Sequence, residues 1–269
     1  MTNKGINKVF ALLCIGVMLA GCAHSKNTGL HNDSSALACD SIAICDDSAS
    51  ADSAAALSEE IKPKKVSILG DSYSTYQGWL TSPNFIAWYM PVPKEGRPTD
   101  VTKVDQTWWK IFIDENGYEL ETNNSFSGST VCNTGYEKQD YSDRSFITRM
   151  KDLGHPDLIL VFGGTNDDWA HVPLGKYVWS DWTPKELYSY RPAAAYMLSE
   201  MKKLYPDAEI VVMLNDILRP EIMESTKKIC DHYDIKYLEL KDIDKMSGHP
   251  DSKGMRKIAD QLSELLSRQ

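Results

Sequence analysis

The chain has 269 residues, 42% hydrophobic and 25% charged, proportions that exclude a collagen-like, coiled-coil or wholly disordered polypeptide. Twenty-nine basic side chains stand against 38 acidic ones, a net charge of −9, and no basic domain of the kind nucleic-acid binders carry is present. The charge is uneven: residues 23–60 hold one lysine against seven carboxylates, whereas residues 61–269 carry −5 and are numerous enough to bury a full core.

Lys4 and Lys8 precede the apolar run Val9–Ala20. A membrane-spanning helix needs about twenty residues, so this shorter run reads as the h-region of a signal peptide. It ends in Leu19-Ala20-Gly21-Cys22, which resembles the lipobox of bacterial lipoproteins. The resemblance implies cleavage before Cys22 and acylation of that cysteine. It also implies an exported lipoprotein, held on a membrane through its lipid anchor and facing the periplasm or the cell surface. A plain secretory signal with an incidental cysteine is the alternative. Residues 23–62 are rich in Ser, Ala and Asp and hold no Phe, Trp or Tyr, so they are expected to form a disordered acidic tether.

Of six cysteines, Cys14 leaves with the signal and Cys22 is the lipid site. Cys39 and Cys45 could close a small loop in the tether, and Cys132 and Cys230 are expected as ordinary buried thiols. The spacing fits no zinc pattern and no HExxH occurs, so neither metal nor cofactor is expected.

One domain is expected over residues 63–269. Apolar runs at Val66–Leu69, Leu158–Phe162, Ile210–Leu214 and Ile235–Leu238 are bounded by Gly, Pro, Asp or Asn, as buried strands are, and Tyr118–Thr122 is a weaker strand pattern. Helical patterns cover Trp108–Glu115, Arg144–Leu153, Pro184–Leu204 with Pro192 inside it, Glu221–His232 and Lys253–Leu266. The last puts Met255, Ile258, Ala259, Leu262 and Leu265/Leu266 on one stripe. Strand and helix alternate about five times, which predicts a doubly wound, flavodoxin-like α/β sandwich on a five-stranded parallel sheet. Ligands bind such sheets beyond the carboxyl ends of the strands.

Three loops at that edge carry chemistry. The first strand runs into Gly70-Asp71-Ser72, where Ser72 is either a nucleophile or a helix cap. The third runs into Gly163-Gly164-Thr165-Asn166-Asp167-Asp168, where Asn166 is either an oxyanion donor or a plain turn residue. After the fifth comes Ser247-Gly248-His249-Pro250, whose His249 could reach Ser72 as a general base.

Together these residues resemble the SGNH (GDSL-type) hydrolase family. Gly70-Asp71-Ser72 matches its nucleophile turn, Gly164-Thr165-Asn166-Asp167 its Gly-x-Asn-Asp block and His249-Pro250 its last block, while Ser125-Phe126-Ser127-Gly128 sits where the family has a glycine after the second strand. The resemblance spans residues 65 to about 266 and implies a serine esterase or acylhydrolase. In that reading Ser72 attacks an ester carbonyl and His249 accepts its proton. The N–H groups of Ser72 and Gly128 and the Asn166 side chain hold the oxyanion.

One departure stands out: the family usually has Asp three residues before the histidine, and here that residue is Met246. Asp244 or Asp242 could orient His249; otherwise a Ser–His dyad, with the imidazole held by a backbone carbonyl, is the default. Two other histidines are weighed. His155 precedes the third strand and belongs at the opposite sheet edge, roughly 20 Å away. His171 follows the third-strand loop and is expected as a substrate contact or surface residue.

A long insertion, Tyr76 to Thr107, holds Tyr76, Trp79, Phe85, Trp88 and Tyr89. Trp108 and Trp109 follow it and are expected in the core; Trp169, Tyr177, Trp179 and Trp182 lie further on. Such loops shape binding sites. Aromatic faces and the lipoprotein address favour a small-molecule or glycan ester, an acylated carbohydrate, as substrate. A lipid or lysophospholipid esterase is the alternative within the same chemistry. A catalytically inactive glycan-binding lipoprotein is the alternative outside it, and Met246 is the feature in its favour.

Overall fold

Five segments form one parallel sheet in the computed structural model, which describes residues 62–268: β1 (Lys65–Gly70), β2 (Glu119–Ser125), β3 (Leu158–Phe162), β4 (Glu209–Leu214) and β5 (Lys236–Glu239). The expected signal peptide, nearly all of the tether, and Cys22, Cys39 and Cys45 lie outside the described residues. The spatial order is β2-β1-β3-β4-β5, the flavodoxin-like doubly wound arrangement. Its switch point falls between β1 and β3, whose following loops part to opposite sides and leave a crevice at the carboxyl edge.

The central strands β1, β3 and β4 are largely apolar because both of their faces are covered. Residues alternate between two cores with the period of two that strands impose. Leu158, Leu160 and Phe162 of β3, with Val211 and Met213 of β4, face one cluster. Ile159 and Val161, with Ile210, Val212 and Leu214, face the other. Helices α1 (Trp108–Asn116) and α6 (Ser252–Ser267) cover the first face. Helices α2 (Phe146–Arg149), α4 (Tyr190–Leu204) and α5 (Pro220–Tyr233) cover the second. Helix α3 (Thr165–Trp169) is a single turn after β3. Trp108 and Trp109 are fully buried, as the sequence suggests, and Cys132 and Cys230 are buried free thiols.

Three elements differ from the sequence reading. Only Phe146–Arg149 of the Arg144–Leu153 pattern is α-helical, because the carbonyls of Arg144 and Arg149 accept side-chain donors, Arg149 Nε and Asn124 Nδ2, in place of extending the helix. The Pro184–Leu204 pattern splits into a 3₁₀ turn, Glu186–Tyr188, and an α-helix that begins at Tyr190, after an extended Ser189. Pro192 thus falls in the first turn, where its missing N–H has no partner to lose. Finally, β2 runs on through Asn123, Asn124 and Ser125, all buried. Asn123 Nδ2 donates to Ser74 O at 3.0 Å, Asn124 Nδ2 to Arg149 O and Asp152 O at 3.0 Å each, and Ser125 Oγ to Asn123 Oδ1 at 2.6 Å. Polar residues in a strand are stable here because each finds a partner.

Arg149 closes this network. Its guanidinium is buried, yet it makes no ion pair with any described residue; it donates to the carbonyls of Asn124, Gly70 (3.1 Å) and Arg144 (2.8 Å) and to Ser129 Oγ (2.8 Å). Burial lowers its pKa to about 9, partly offset by the negative charge of Asp71, so it remains a cation at neutral pH. Arg149→Met would strand three carbonyls and is expected to lower unfolding free energy by about 3 kcal/mol or more. Arg149→Lys should recover little, since an ammonium lacks the planar fork. Urea denaturation followed by circular dichroism measures both.

Candidate active site

The turn after β1 is shaped by crowding. A Cβ on Gly70 would lie 2.5 Å from Ser125 Oγ and 2.6 Å from Ser74 Cβ, so only glycine lets the chain pass there. Asp71 then caps the short 3₁₀ turn Ser72–Ser74 by accepting from Tyr73 N at 3.0 Å. Ser72 heads that turn at the crevice.

Its partner comes from the far end of the chain. A two-residue turn, Ser247 and Gly248 with φ of 50° and 76°, joins the short strands β6 (Lys245–Met246) and β7 (His249–Pro250). Positive φ at both positions is the geometry of tight hairpins and suits Gly248. Buried phenols fasten this hairpin from the β1 side: Tyr73 donates to Gly248 O, and Tyr89 to Pro250 O at 2.8 Å. His249 Nε2 consequently lies 2.9 Å from Ser72 Oγ, and its Nδ1 lies 3.2 Å from Ser247 O. With Nδ1 protonated and bonded to that carbonyl, Nε2 is left as an acceptor facing the serine.

Aromatic rings enclose the imidazole. Trp88 stacks on it at 3.5 Å between centroids and 7° between planes, with Tyr73 at 5.1 Å and Trp169 at 5.9 Å. Burial pushes the His249 pKa down to about 4, the Arg97 charge adds to that, and the Ser247 carbonyl opposes it. Burial also raises Asp71 to about 7, against the Tyr73 N–H and the Arg149 charge, and Asp167 to about 6.

Asn166, in α3, is held on both sides. Tyr136 donates to its Oδ1 at 2.8 Å, and its Nδ2 donates to Asp71 Oδ2 at 3.3 Å. One Nδ2 hydrogen is left for the crevice. Gly164, at φ 91°, makes the turn into α3, and Asp167 ties α3 to the loop after β2 by accepting from Val131 N (2.8 Å) and Cys132 N (3.3 Å). Gly128, at φ 84°, sits in that loop. The N–H groups of Ser72 and Gly128 make no hydrogen bond among the described residues.

Ser72, Gly128, Asn166 and His249 thus line one cavity of about 250 Å³, together with Trp88 and Arg97. A second cavity of about 440 Å³ adjoins it through Ile86, with Phe85, Met90 and Lys94 in its wall. Asp244 is elsewhere: its exposed carboxylate pairs with Lys257 Nζ at 2.6 Å, and that pairing lowers its pKa. Asp242 offers only its carbonyl to Lys257. His155 precedes β3 at the amino edge of the sheet, and His171 lies on the surface outside the cavity. Tyr177, Trp179 and Trp182 pack on the α4/α5 layer and line neither cavity. No local sequence pattern marks Tyr136, Tyr73 or Arg97, which reach the site only through the fold.

The fold is an α/β sandwich that holds a serine against a histidine at the switch point of its parallel sheet. The GDSL-like lipase/acylhydrolase family model matches residues 64–266, and the chain belongs to that family. A GDSL-like lipase from Bacteroides ovatus ATCC 8483 is 53% identical, with 77% of this chain and all of that one covered and a TM-score of 0.76. Another from Bacteroides uniformis ATCC 8492 is 55% identical over 77% and 97% of the two chains, with a TM-score of 0.75. A carbohydrate acetylesterase from Sinorhizobium meliloti shares the fold at 14% identity over 76% and 99%, TM-score 0.51. No curated protein matches the chain.

Trp88→Ala would re-expose the imidazole face to water. The His249 pKa should then climb from about 4 towards its ordinary 6.5. Titration of its ring protons by NMR reads the shift, and an unchanged value would assign the depression to other walls of the cage.

Proposed function

We propose that this protein is a serine ester hydrolase working through a Ser72–His249 dyad on small acyl groups carried by carbohydrates. The observation that carries the reading is the 2.9 Å contact from Ser72 Oγ to a His249 Nε2 whose other nitrogen is already occupied. Nε2 takes the hydroxyl proton as Oγ attacks the ester carbonyl, and the imidazolium returns it to the leaving alcohol. The oxyanion is met by the N–H groups of Ser72 and Gly128 and by Asn166 Nδ2, three donors already oriented before substrate arrives. Water then repeats the sequence on the acyl-enzyme.

The dimensions favour a short acyl group. A cavity of about 250 Å³ that opens on tryptophan faces suits an acyl group beside a sugar ring better than a long chain, which needs an extended apolar channel. The Leu19–Cys22 motif extends the reading: acylated Cys22 holds the domain on a membrane surface, where exported glycans are within reach.

Ser72→Ala should abolish turnover of a short-chain aryl ester and labelling by a serine-directed phosphonate. If both persist, the nucleophile is wrong; if wild type turns over no ester yet binds glycans, the domain is a binding module. Asn166→Ala should lower kcat about 10²–10³-fold with little change in KM. Asp244→Asn, whose carboxylate pairs with Lys257 and not with the imidazole, is expected to stay within a fewfold of wild type. A collapse of kcat with intact circular dichroism would instead make Asp244 the orienting acid.

A further inference from the structure

Residues 61–269 are net negative, but the crevice is not. Arg97 is the one residue with a permanent charge on the wall of the cavity over Ser72, and Lys94 is the one charge on the wall of the adjoining cavity; neither wall holds a carboxylate. Arg97 also differs from the other arginines. Arg144, Arg149, Arg191, Arg219, Arg256 and Arg268 each donate hydrogen bonds to protein oxygens. The Arg97 guanidinium donates none among the described residues. Its guanidinium stands 5.0 Å over the Trp88 ring, and its Nη1 is shielded from solvent without an acceptor. A guanidinium held against an aromatic face, with its forked donors unspent, is suited to a planar anion.

Resting on the ester-hydrolase reading, we propose that Arg97 is an anion subsite beside the scissile bond and that the natural substrate is an ester bearing a carboxylate. A single cation matches a monoanion; a phosphate monoester, close to a dianion at neutral pH, calls for more than one. The carboxylate has two sources, a uronic acid on the sugar side or a dicarboxylate half-ester on the acyl side, and matched substrates separate them. Arg97 also braces Trp88 against His249, so a change in rate alone does not distinguish substrate binding from support of the imidazole.

The test is the ratio of kcat/KM within charged and neutral pairs, using the full-length protein. The sugar-side pair is an O-acetylated methyl galacturonoside and its methyl ester; the acyl-side pair is 4-nitrophenyl hemisuccinate and 4-nitrophenyl butyrate. Wild type should prefer the charged member of one pair by about 10-fold or more, the preference fading as salt is raised. Arg97→Gln should bring that ratio near one, and Arg97→Lys should keep part of it. Equal ratios in wild type, or equal losses on both members in Arg97→Gln, would overturn the subsite and leave Arg97 as a brace for Trp88. If no ester is turned over, the catalytic reading fails separately. Tryptophan-fluorescence titration with sodium galacturonate and sodium succinate then decides the subsite: quenching that vanishes in Arg97→Gln supports it, and no response from wild type overturns it.

Discussion

A guanidinium buried without a carboxylate beside it is costly unless oxygen dipoles replace the lost water, and the carboxyl edge of this sheet is organised around that requirement. Arg149 is satisfied by carbonyls at the ends of β1 and β2, by that of Arg144 just before α2, and by the Ser129 hydroxyl next to Gly128. Those carbonyls cannot move apart without stranding the charge. Because Gly70 O is one of them, the residue two positions before Ser72 is fixed to the loop that carries Gly128. The buried amides of Asn123 and Asn124 extend the clamp to Ser74 O and to Arg149's own carbonyl. The serine turn and the glycine loop are thereby one rigid body before any substrate binds.

The histidine side solves a different problem. A catalytic imidazole usually owes its tautomer and orientation to a carboxylate, and among the described residues no carboxylate bonds His249. A backbone carbonyl fixes the Nδ1 proton, and ring packing fixes the plane. The difference is electrostatic: a carbonyl dipole stabilises the imidazolium less than an anion would, and burial, with the Arg97 charge added, outweighs it and leaves the His249 pKa depressed. On the reading proposed above, the base stays neutral into acidic solution, but it draws the serine proton with less driving force than a carboxylate-backed imidazole. Positioning has to supply part of what basicity does not.

The sheet is legible in the sequence because a doubly covered strand is mostly apolar: Leu158–Phe162 and Ile210–Leu214 are so throughout, and Val66–Leu69 is interrupted only by Ser67, whose hydroxyl donates to Leu153 O. The weak pattern at Tyr118–Thr122 understated β2 for the opposite reason: Asn123–Ser125 are polar by composition and strand by tertiary hydrogen bonding. The Ser72, Asn166 and His249 loops are legible because glycines mark their turns, at Gly70 where serine side chains crowd the chain and at Gly164 where φ is 91°. Their supports are not. Tyr136 reaches Asn166 across 30 residues and Arg149 reaches Gly70 across 79, contacts that follow no local period. Asp244 is near His249 in sequence, which suggests an orienting acid, but the hairpin turns it outward to Lys257 while folding Ser247 O back onto the ring.

Substrate charge and base strength are physically coupled in this arrangement. Arg97, Trp88 and His249 form a stack, and the Arg97 cation is one of the forces that disfavours a second positive charge on the imidazole. On the readings proposed above, an anion seated on Arg97 would offset that force and raise the proton affinity of Nε2 as an ester is positioned over Ser72, whereas a neutral substrate would leave the cation uncompensated. On the same readings, the charge of the substrate in front of the histidine would make discrimination between charged and neutral esters a property of the chemical step as well as of binding.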